Sequence, residues 1–234
     1  MRGGGRGVRG EGESPYSIPA PSSPSLEVRH LGREDYEPVW RRMQAFTTDR
    51  TASTPDELWL VEHPPVYTLG IAAKPEHLPR ADNGIPVVRT DRGGQITYHG
   101  PGQVVAYTLV DLRRRQLSVR ALVRRLENAV IELLGDFSIR AAGREDAPGV
   151  YVGDAKVAAL GLRIRNGCAY HGLSLNVDMD LAPFAVINPC GYAGLAVTQT
   201  RALGMREDAA AVATLLVPKL AAQLEGARMS GAGT

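Results

Sequence analysis

Asp91-Arg92-Gly93-Gly94-Gln95-Ile96-Thr97-Tyr98-His99-Gly100-Pro101-Gly102-Gln103 reads as backbone fitted closely around something rather than as core filling. Gly93-Gly94, then Gly100 and Gly102 on either side of Pro101, let the main chain take positive φ and approach a ligand or another strand without a Cβ in the way. Between the glycine pairs, Gln95 to Tyr98 has the composition of a short strand, and Val104 to Val110 continues as a buried one. His99 therefore falls at a strand end beside a turn. It is either a group facing a site or the hydrogen-bonded histidine of a tight β-turn.

Outward from this stretch the chain alternates strands and helices. Leu26 to Leu31 alternates as a first strand, and Tyr36, Val39, Trp40, Met43 and Phe46 recur at the spacing of one helix face. Leu58 to Glu62 is a strand running into His63-Pro64-Pro65, Val66 to Gly70 follows as another, and Ile85 to Arg89 leads into the opening stretch. Ser118 is placed to N-cap a helix with Leu122, Leu126, Val130 and Leu133 on one stripe and Gly135 at its stop. Three strands follow, Gly149 to Val152, Lys156 to Ile164 and Tyr170 to Val177, joined at Gly153-Asp154-Ala155 and Arg165-Asn166-Gly167 by hairpin turns. A last helix from about Glu207 to Leu224 carries Pro218, which predicts a kink or a split. The pattern predicts an α+β fold, one domain with a mixed, mainly antiparallel sheet packed by helices. Its expected bounds are residues 26–225, between a disordered Gly/Arg/Pro/Ser arm at 1–25 and a flexible tail at 226–234.

Composition narrows the function classes. A chain of 234 residues buries roughly 70% of its unfolded surface, enough for one substantial domain. A content of 44% hydrophobic and 22% charged residues is that of a soluble globular protein, and no apolar run has the length of a membrane span. Met1 to Gly12 lacks the apolar core of a secretory signal, so the expected location is cytoplasmic. A net charge of +2 gives no ground for nucleic-acid binding. Arg113-Arg114-Arg115, Arg120, Arg124, Arg125, Arg163 and Arg165 are either solvated surface charge or a basic face that docks an acidic macromolecule. No paired Cys/His cluster has zinc-ligand spacing, so no metal site is expected.

Two cysteines differ in setting. Cys190 stands in Asn188-Pro189-Cys190-Gly191, a loop composition unlike that of a packing thiol, whereas Cys168 sits beside the Asn166-Gly167 turn at a strand start and reads as structural. Lys156 opens an otherwise apolar strand. It either snorkels or, if desolvated, loses its proton more easily and serves as a base near neutral pH. A base beside Cys190 would supply the thiolate, the reactive form, with His99 and His171 as rival bases.

The opening stretch, with Glu62-His63-Pro64-Pro65-Val66-Tyr67-Thr68, Lys156-Val157-Ala158, His171-Gly172-Leu173-Ser174-Leu175-Asn176 and Asn188-Pro189-Cys190-Gly191, resembles the bacterial lipoyl(octanoyl) transferases. The resemblance runs from about Leu26 to Leu224, with Leu69 and Ile71 standing where glutamine is common in the family. It implies the catalytic domain of the biotin/lipoate protein ligase superfamily. It also implies a two-step acyl transfer, from octanoyl-acyl carrier protein to a lysine of a lipoyl domain, with no cofactor and no ATP. Acceptors would be the lipoyl domains of 2-oxoacid dehydrogenase complexes and the glycine cleavage H protein. Carried over residue by residue, Cys190 is the acylated nucleophile and Lys156 the general acid/base. Arg92, Gly93, Gly94, Gln95, Ile96, Thr97, Tyr98 and His99, with Ala159, Leu160, Gly161, His171, Gly172 and Leu173, would line the acyl pocket. The competing readings are an ATP-dependent lipoate or biotin ligase and a non-catalytic carrier-binding protein, neither of which needs the Cys190 and Lys156 pair.

Overall fold

The computed structural model describes Met1, residues 26–187 and residues 195–225. The expectations for the N-terminal arm, for Cys190 and for the C-terminal tail lie outside the described residues. Among the described residues ten strands are formed: β1 (Leu26–Arg33), β2 (Asp56–Glu62), β3 (Val66–Leu69), β4 (Val87–Arg89), β5 (Ile96–His99), β6 (Gln103–Asp111), β7 (Ala142–Gly143), β8 (Gly149–Val152), β9 (Ala155–Arg165) and β10 (Cys168–Asn176). Three α-helices accompany them among the described residues: α1 (Tyr36–Asp49), α2 (Val119–Asp136) and α3 (Ala209–Glu225). The fold is α+β, as expected, but its strands divide between two sheets. Seven run in the order β1-β2-β6-β10-β9-β8-β7, and three in the order β4-β3-β5. Among these strands only the β1/β2 and β3/β4 pairs are parallel, so the pairing is mixed and mainly antiparallel.

The large sheet is covered on both faces, which is why β6 reads as an unbroken apolar run. Its alternate residues serve different layers. Val104, Ala106 and Val110, with Leu58 and Leu60 of β2, face a core built with Leu122, Leu126, Val130 and Leu133 of α2 and Val212, Leu216 and Leu220 of α3. Val105, Tyr107 and Leu109, with Trp59 and Val61, face Tyr36, Val39 and Met43 of α1. Each fully buried Leu contributes about 1.5–3 kcal/mol, so the two faces together fix the register of β6 against its neighbours.

Turn chemistry is largely as the residues suggest. Ser118 Oγ caps α2 by accepting from Ala121 N at 3.1 Å. Asn166 and Gly167 both take positive φ, +51° and +76°, as a two-residue hairpin turn between β9 and β10 requires. Two expectations are corrected. Gly135 does not end α2, which runs on to Asp136 and is followed by Ser138 at φ +59°. Pro218 does not split α3, whose stripe of Val212, Leu216, Leu220 and Leu224 holds it to the core through the missing donor.

The arginine cluster divides in two. Asp56, fully buried, accepts from Arg50 Nη2 at 2.5 Å, Arg114 Nη2 at 2.6 Å, Arg115 Nε and the Asp111 main-chain N–H at 2.9 Å. Burial alone would raise the Asp56 pKa, but the Asp111 N–H and the guanidinium groups of Arg115 and Arg114 hold it below the usual carboxylate range. Arg120 and Arg124 pair with Glu145, and Arg125 donates to Gln223 O. Arg114 and Arg115 thus fasten the fold internally, whereas Arg113 and Arg120 remain exposed. Arg163 and Arg165, on β9, are exposed as well.

Candidate active site

A cleft opens where the small sheet lies over the large one. Its floor is made by small residues in matching register: Gly161 lies opposite Gly172 and Ala159 opposite Ser174 on the β9/β10 pair, with Tyr107 and Val105 next along on β6. Larger side chains there would fill the trough. Gly172 is glycine for a further reason, since a Cβ would come within 2.0 Å of Ala106 O. The cover is the opening stretch, which arches from β4 to β5, with Tyr36 of α1 and Phe184 at its edges.

Of the residues expected to line the pocket, Arg92, Gly94, Gln95, Ile96, Thr97 and His99 do so, as do Ala159, Leu160, Gly161, His171, Gly172 and Leu173, and Lys156, expected as the general acid/base, joins them. Gly93 and Tyr98 do not. Gly93 instead clamps the cover to the floor: its N–H donates to Leu162 O at 2.8 Å, and a Cβ would stand 3.2 Å from that oxygen. Strand alternation sends Thr97 and His99 toward the cleft and Tyr98 away from it. Tyr98 packs against Tyr67 and, edge-on, against Phe184.

Lys156 sits at one end of the trough, 4% exposed. Its stem passes Gly149, where a Cβ would lie 3.0 Å from Cε, and its Nζ donates to Pro148 O at 3.3 Å and lies 5.2 Å from the centre of the Tyr151 ring. Gly149 is held in turn by Glu127, a buried carboxylate of α2 whose Oε1 accepts from Gly149 N at 2.9 Å. The main chain of Lys156 is tethered as well: its N–H donates to Ala196 O at 2.8 Å, and its carbonyl accepts from Thr198 N at 2.9 Å. Cys190 precedes Ala196 by six residues in the sequence. Cys168 lies elsewhere, buried at the start of β10, and burial, reinforced by nearby Asp111, pushes its thiol pKa up. A thiol so placed is the inert kind.

From Lys156 a row of amides leads to His99. Asn176 Nδ2 donates to Thr198 O at 3.0 Å, Gln103 Nε2 donates to Asn176 Oδ1 at 2.9 Å, and Gln103 Oε1 lies 2.7 Å from His99 Nδ1. With the Gln103 amide nitrogen committed to acceptors, its oxygen takes the proton of Nδ1, so Nε2 is the bare nitrogen. Burial, then the adjacent His63, lower the His99 pKa to about 3. His99 is a neutral wall of the cleft and no proton carrier at neutral pH. His63 is neutral as well, its pKa lowered by burial, between Glu34 O at 2.6 Å and the Tyr107 hydroxyl at 2.8 Å.

At the other end stands His171. Its φ is +63°, a left-handed value rare for a histidine in a strand. The consequence is visible in the rings: Tyr170 and His171 are consecutive yet stack at 5.0 Å on one face, which ordinary strand alternation forbids. His171 Nε2 is 2.9 Å from Asp91 Oδ1, and Asp91 also accepts from Trp40 Nε1 at 2.8 Å, Gln44 Nε2 at 3.0 Å and the Tyr170 hydroxyl. These donors, His171 first, hold the Asp91 carboxyl well below the usual range against the opposing effect of burial. Sequence reasoning assigned no role to Asp91, Gln103, Asn176, Tyr36 or Glu127. Three of them stood in quoted motifs, and residue spacing carries no sign of their contacts.

Two layers of strand and helix enclosing such a cleft define the lipoate ligase fold. The crystal structure of lipoate-protein ligase A bound with ATP superposes with a TM-score of 0.65 at 16% identity, covering 86% of this chain and 85% of that one. A bi-partite lipoate protein ligase of Thermoplasma acidophilum gives 0.65 at 15% identity, over 86% of this chain and 84% of that one. The lipoyl protein ligase A/B catalytic domain matches residues 35–220, and the chain belongs to that family. Its curated relatives include the octanoyltransferase of Nitrosospira multiformis, 60% identical over 89% of this chain and 95% of the relative. That of Thiobacillus denitrificans is 68% identical over 78% of this chain and 83% of the relative. Among the described residues no helix is long and apolar enough to cross a membrane.

Proposed function

We propose that this chain is an octanoyltransferase that moves an octanoyl or lipoyl group from acyl carrier protein to a lysine of a lipoyl domain through a thioester on Cys190. The observation that carries the reading is a buried lysine, Lys156, at the end of an apolar trough floored by Ala159, Gly161, Gly172 and Ser174. The segment following Cys190 is hydrogen-bonded along that lysine's main chain. Relatives named octanoyltransferase, at 58–68% identity, support the same assignment.

In the first step Lys156 accepts the Cys190 proton and the thiolate attacks the carrier's thioester carbonyl. The bond to the carrier sulfur breaks, and Lys156 returns the proton to that departing thiolate. In the second step the acceptor lysine's amine attacks the Cys190 thioester, Cys190 leaves as a thiolate, and Lys156 carries the proton from nitrogen to sulfur. One thioester replaces another at nearly constant free energy, so positioning and a thiolate suffice for the first step and ATP has no part in it. The acceptors are the lipoyl domains of 2-oxoacid dehydrogenase complexes and the glycine cleavage H protein, and the setting is cytoplasmic. Residues 26–225 form the catalytic unit, with residues 1–25 as a dispensable arm.

Intact-protein mass spectrometry tests this. With octanoyl carrier and no acceptor, the wild type and a protein lacking residues 1–25 should accumulate an octanoyl adduct on Cys190 that added lipoyl domain discharges without ATP. Cys190→Ser should form none and Cys168→Ser should form it almost normally, while Lys156→Ala should slow it about 10²- to 10⁴-fold. An adduct on Cys168, or transfer that requires ATP, would return the ligase reading to first place.

A further inference from the structure

Three side-chain atoms lining the cleft away from Lys156 are buried and make no hydrogen bond: the Tyr36 hydroxyl, Gln95 Oε1 and His171 Nδ1. Tyr36 and His171 are 4% and 1% exposed. The three are not scattered. Tyr36 stacks at 5.8 Å on His99, His171 meets the Tyr107 ring at 6.2 Å, and both lie in the field of Arg92, whose guanidinium donates to Gln95 O at 3.1 Å. Thr90 stands near Tyr36, and because its hydroxyl donates to Leu69 O at 3.2 Å it can only accept from the phenol, which leaves the Tyr36 oxygen's own lone pairs unmet. Because His171 Nε2 faces the Asp91 carboxylate and carries the proton, Nδ1 is a bare acceptor. The left-handed backbone is what turns it into the cleft.

His171 pairs with Leu162 on β9, six residues beyond Lys156, roughly 20 Å along the strand. The lysine side chain and the thioester take the near part of that length, and the apolar floor the middle. The far part is polar.

We propose that Tyr36, Gln95 and His171 form a polar end wall that sets the length of the acyl chain the cleft accepts. This rests on the acyl-transfer reading above. Two acceptors and a hydroxyl at the end of a trough draw ordered water, as buried polar groups lacking a protein partner do. An alkyl chain of fitting length stops short of that water. A longer one displaces it and leaves buried polar atoms unmet, at a cost of roughly tenfold in affinity for each. The wall thus limits length by unsatisfied polarity rather than by bulk.

The test is a chain-length profile of transfer from acyl carrier thioesters, with kcat/KM for decanoyl divided by that for octanoyl within each protein. Tyr36→Phe keeps the ring and removes the hydroxyl. His171→Gln keeps a donor for Asp91 but offers no acceptor where Nδ1 stood. Each should raise the decanoyl to octanoyl ratio about tenfold. His171→Asn, which restores an oxygen at the Nδ1 position and tolerates the left-handed backbone, should keep the wild-type ratio. Thermal melts accompany each variant, and if His171→Gln does not fold, Tyr36→Phe decides alone. Ratios equal to wild type in the folded variants would overturn the end wall and leave acyl transfer standing. A wild type that transfers from no thioester at all would overturn both.

Discussion

His99 shows how far a residue's type and its surroundings diverge. Histidine is the usual proton carrier near neutrality, yet here burial and the neighbouring His63 bring its pKa to about 3. The unfolded value is near 6.5, so between about pH 6.5 and pH 3 the unfolded chain binds a proton that the folded chain does not. Stability contributed by the neutral ring is complete above the unfolded pKa and is lost as pH falls below it, by about 1.4 kcal/mol per pH unit. His63 and His171, also lowered by burial, act in the same direction. Urea unfolding of the wild type should therefore show a midpoint that falls between pH 6.5 and pH 4, with His99→Gln giving a shallower fall. Equal slopes for the two proteins would show that His99 is protonated in the folded state. What was legible at this scale was residue type: a lysine in an apolar strand stands out in any sequence. The Asp91 to His171 contact was not, because it joins residues 80 apart and neither alternation nor composition signals it.

Among the elements, period-two strands and the period of α2 were readable because each serves a layer with its own apolar face. The same logic explains why α3 is not split. A proline within a helix removes a donor and crowds the preceding turn, so the local rule predicts a break. Four buried side chains spaced along one stripe outweigh it. Pro218 is exposed on the far side, so its replacement touches no packing. Pro218→Ala should raise stability by about 1–3 kcal/mol, less whatever the more flexible unfolded chain recovers, and a calorimetric melt would read it. A lowered melting temperature would mean that the helix depends on a bend at this residue. The division of strands between two sheets was likewise hidden. β3, β4 and β5 carry the same strand signals as the rest, and only the long-range pairing of Val66 with His99 and Tyr67 with Val87 separates them.

For the molecule as a whole, the cleft exists because two sheets meet through glycine. Gly161 and Gly93 bring floor and cover together, a Cβ on Gly161 falling 3.1 Å from Gly93 O. The family resemblance carried the fold into view from motifs alone, but the arrangement that gives those motifs meaning is a relation between distant segments. The Arg114 and Arg115 clasp on Asp56 makes the same point, since a run of arginines has the same sequence whether it docks a partner or ties down its own chain.

Both ends of the cleft ride on a single hairpin. Lys156 is on β9, His171 on β10, and the turn between them is Asn166-Gly167. The measure of the site is thus a local property of the polypeptide, settled as soon as these two neighbouring strands zip together. It precedes any need for the parallel β1/β2 pair, whose partners Leu26 and Asp56 must close a longer loop. Pulse-labelling hydrogen exchange during refolding should find amides between Val157 and Leu175 protected before those of β1. If β1 were protected first, the geometry of the acyl channel would be a late product of global collapse rather than a founding event in the life of the newly made chain.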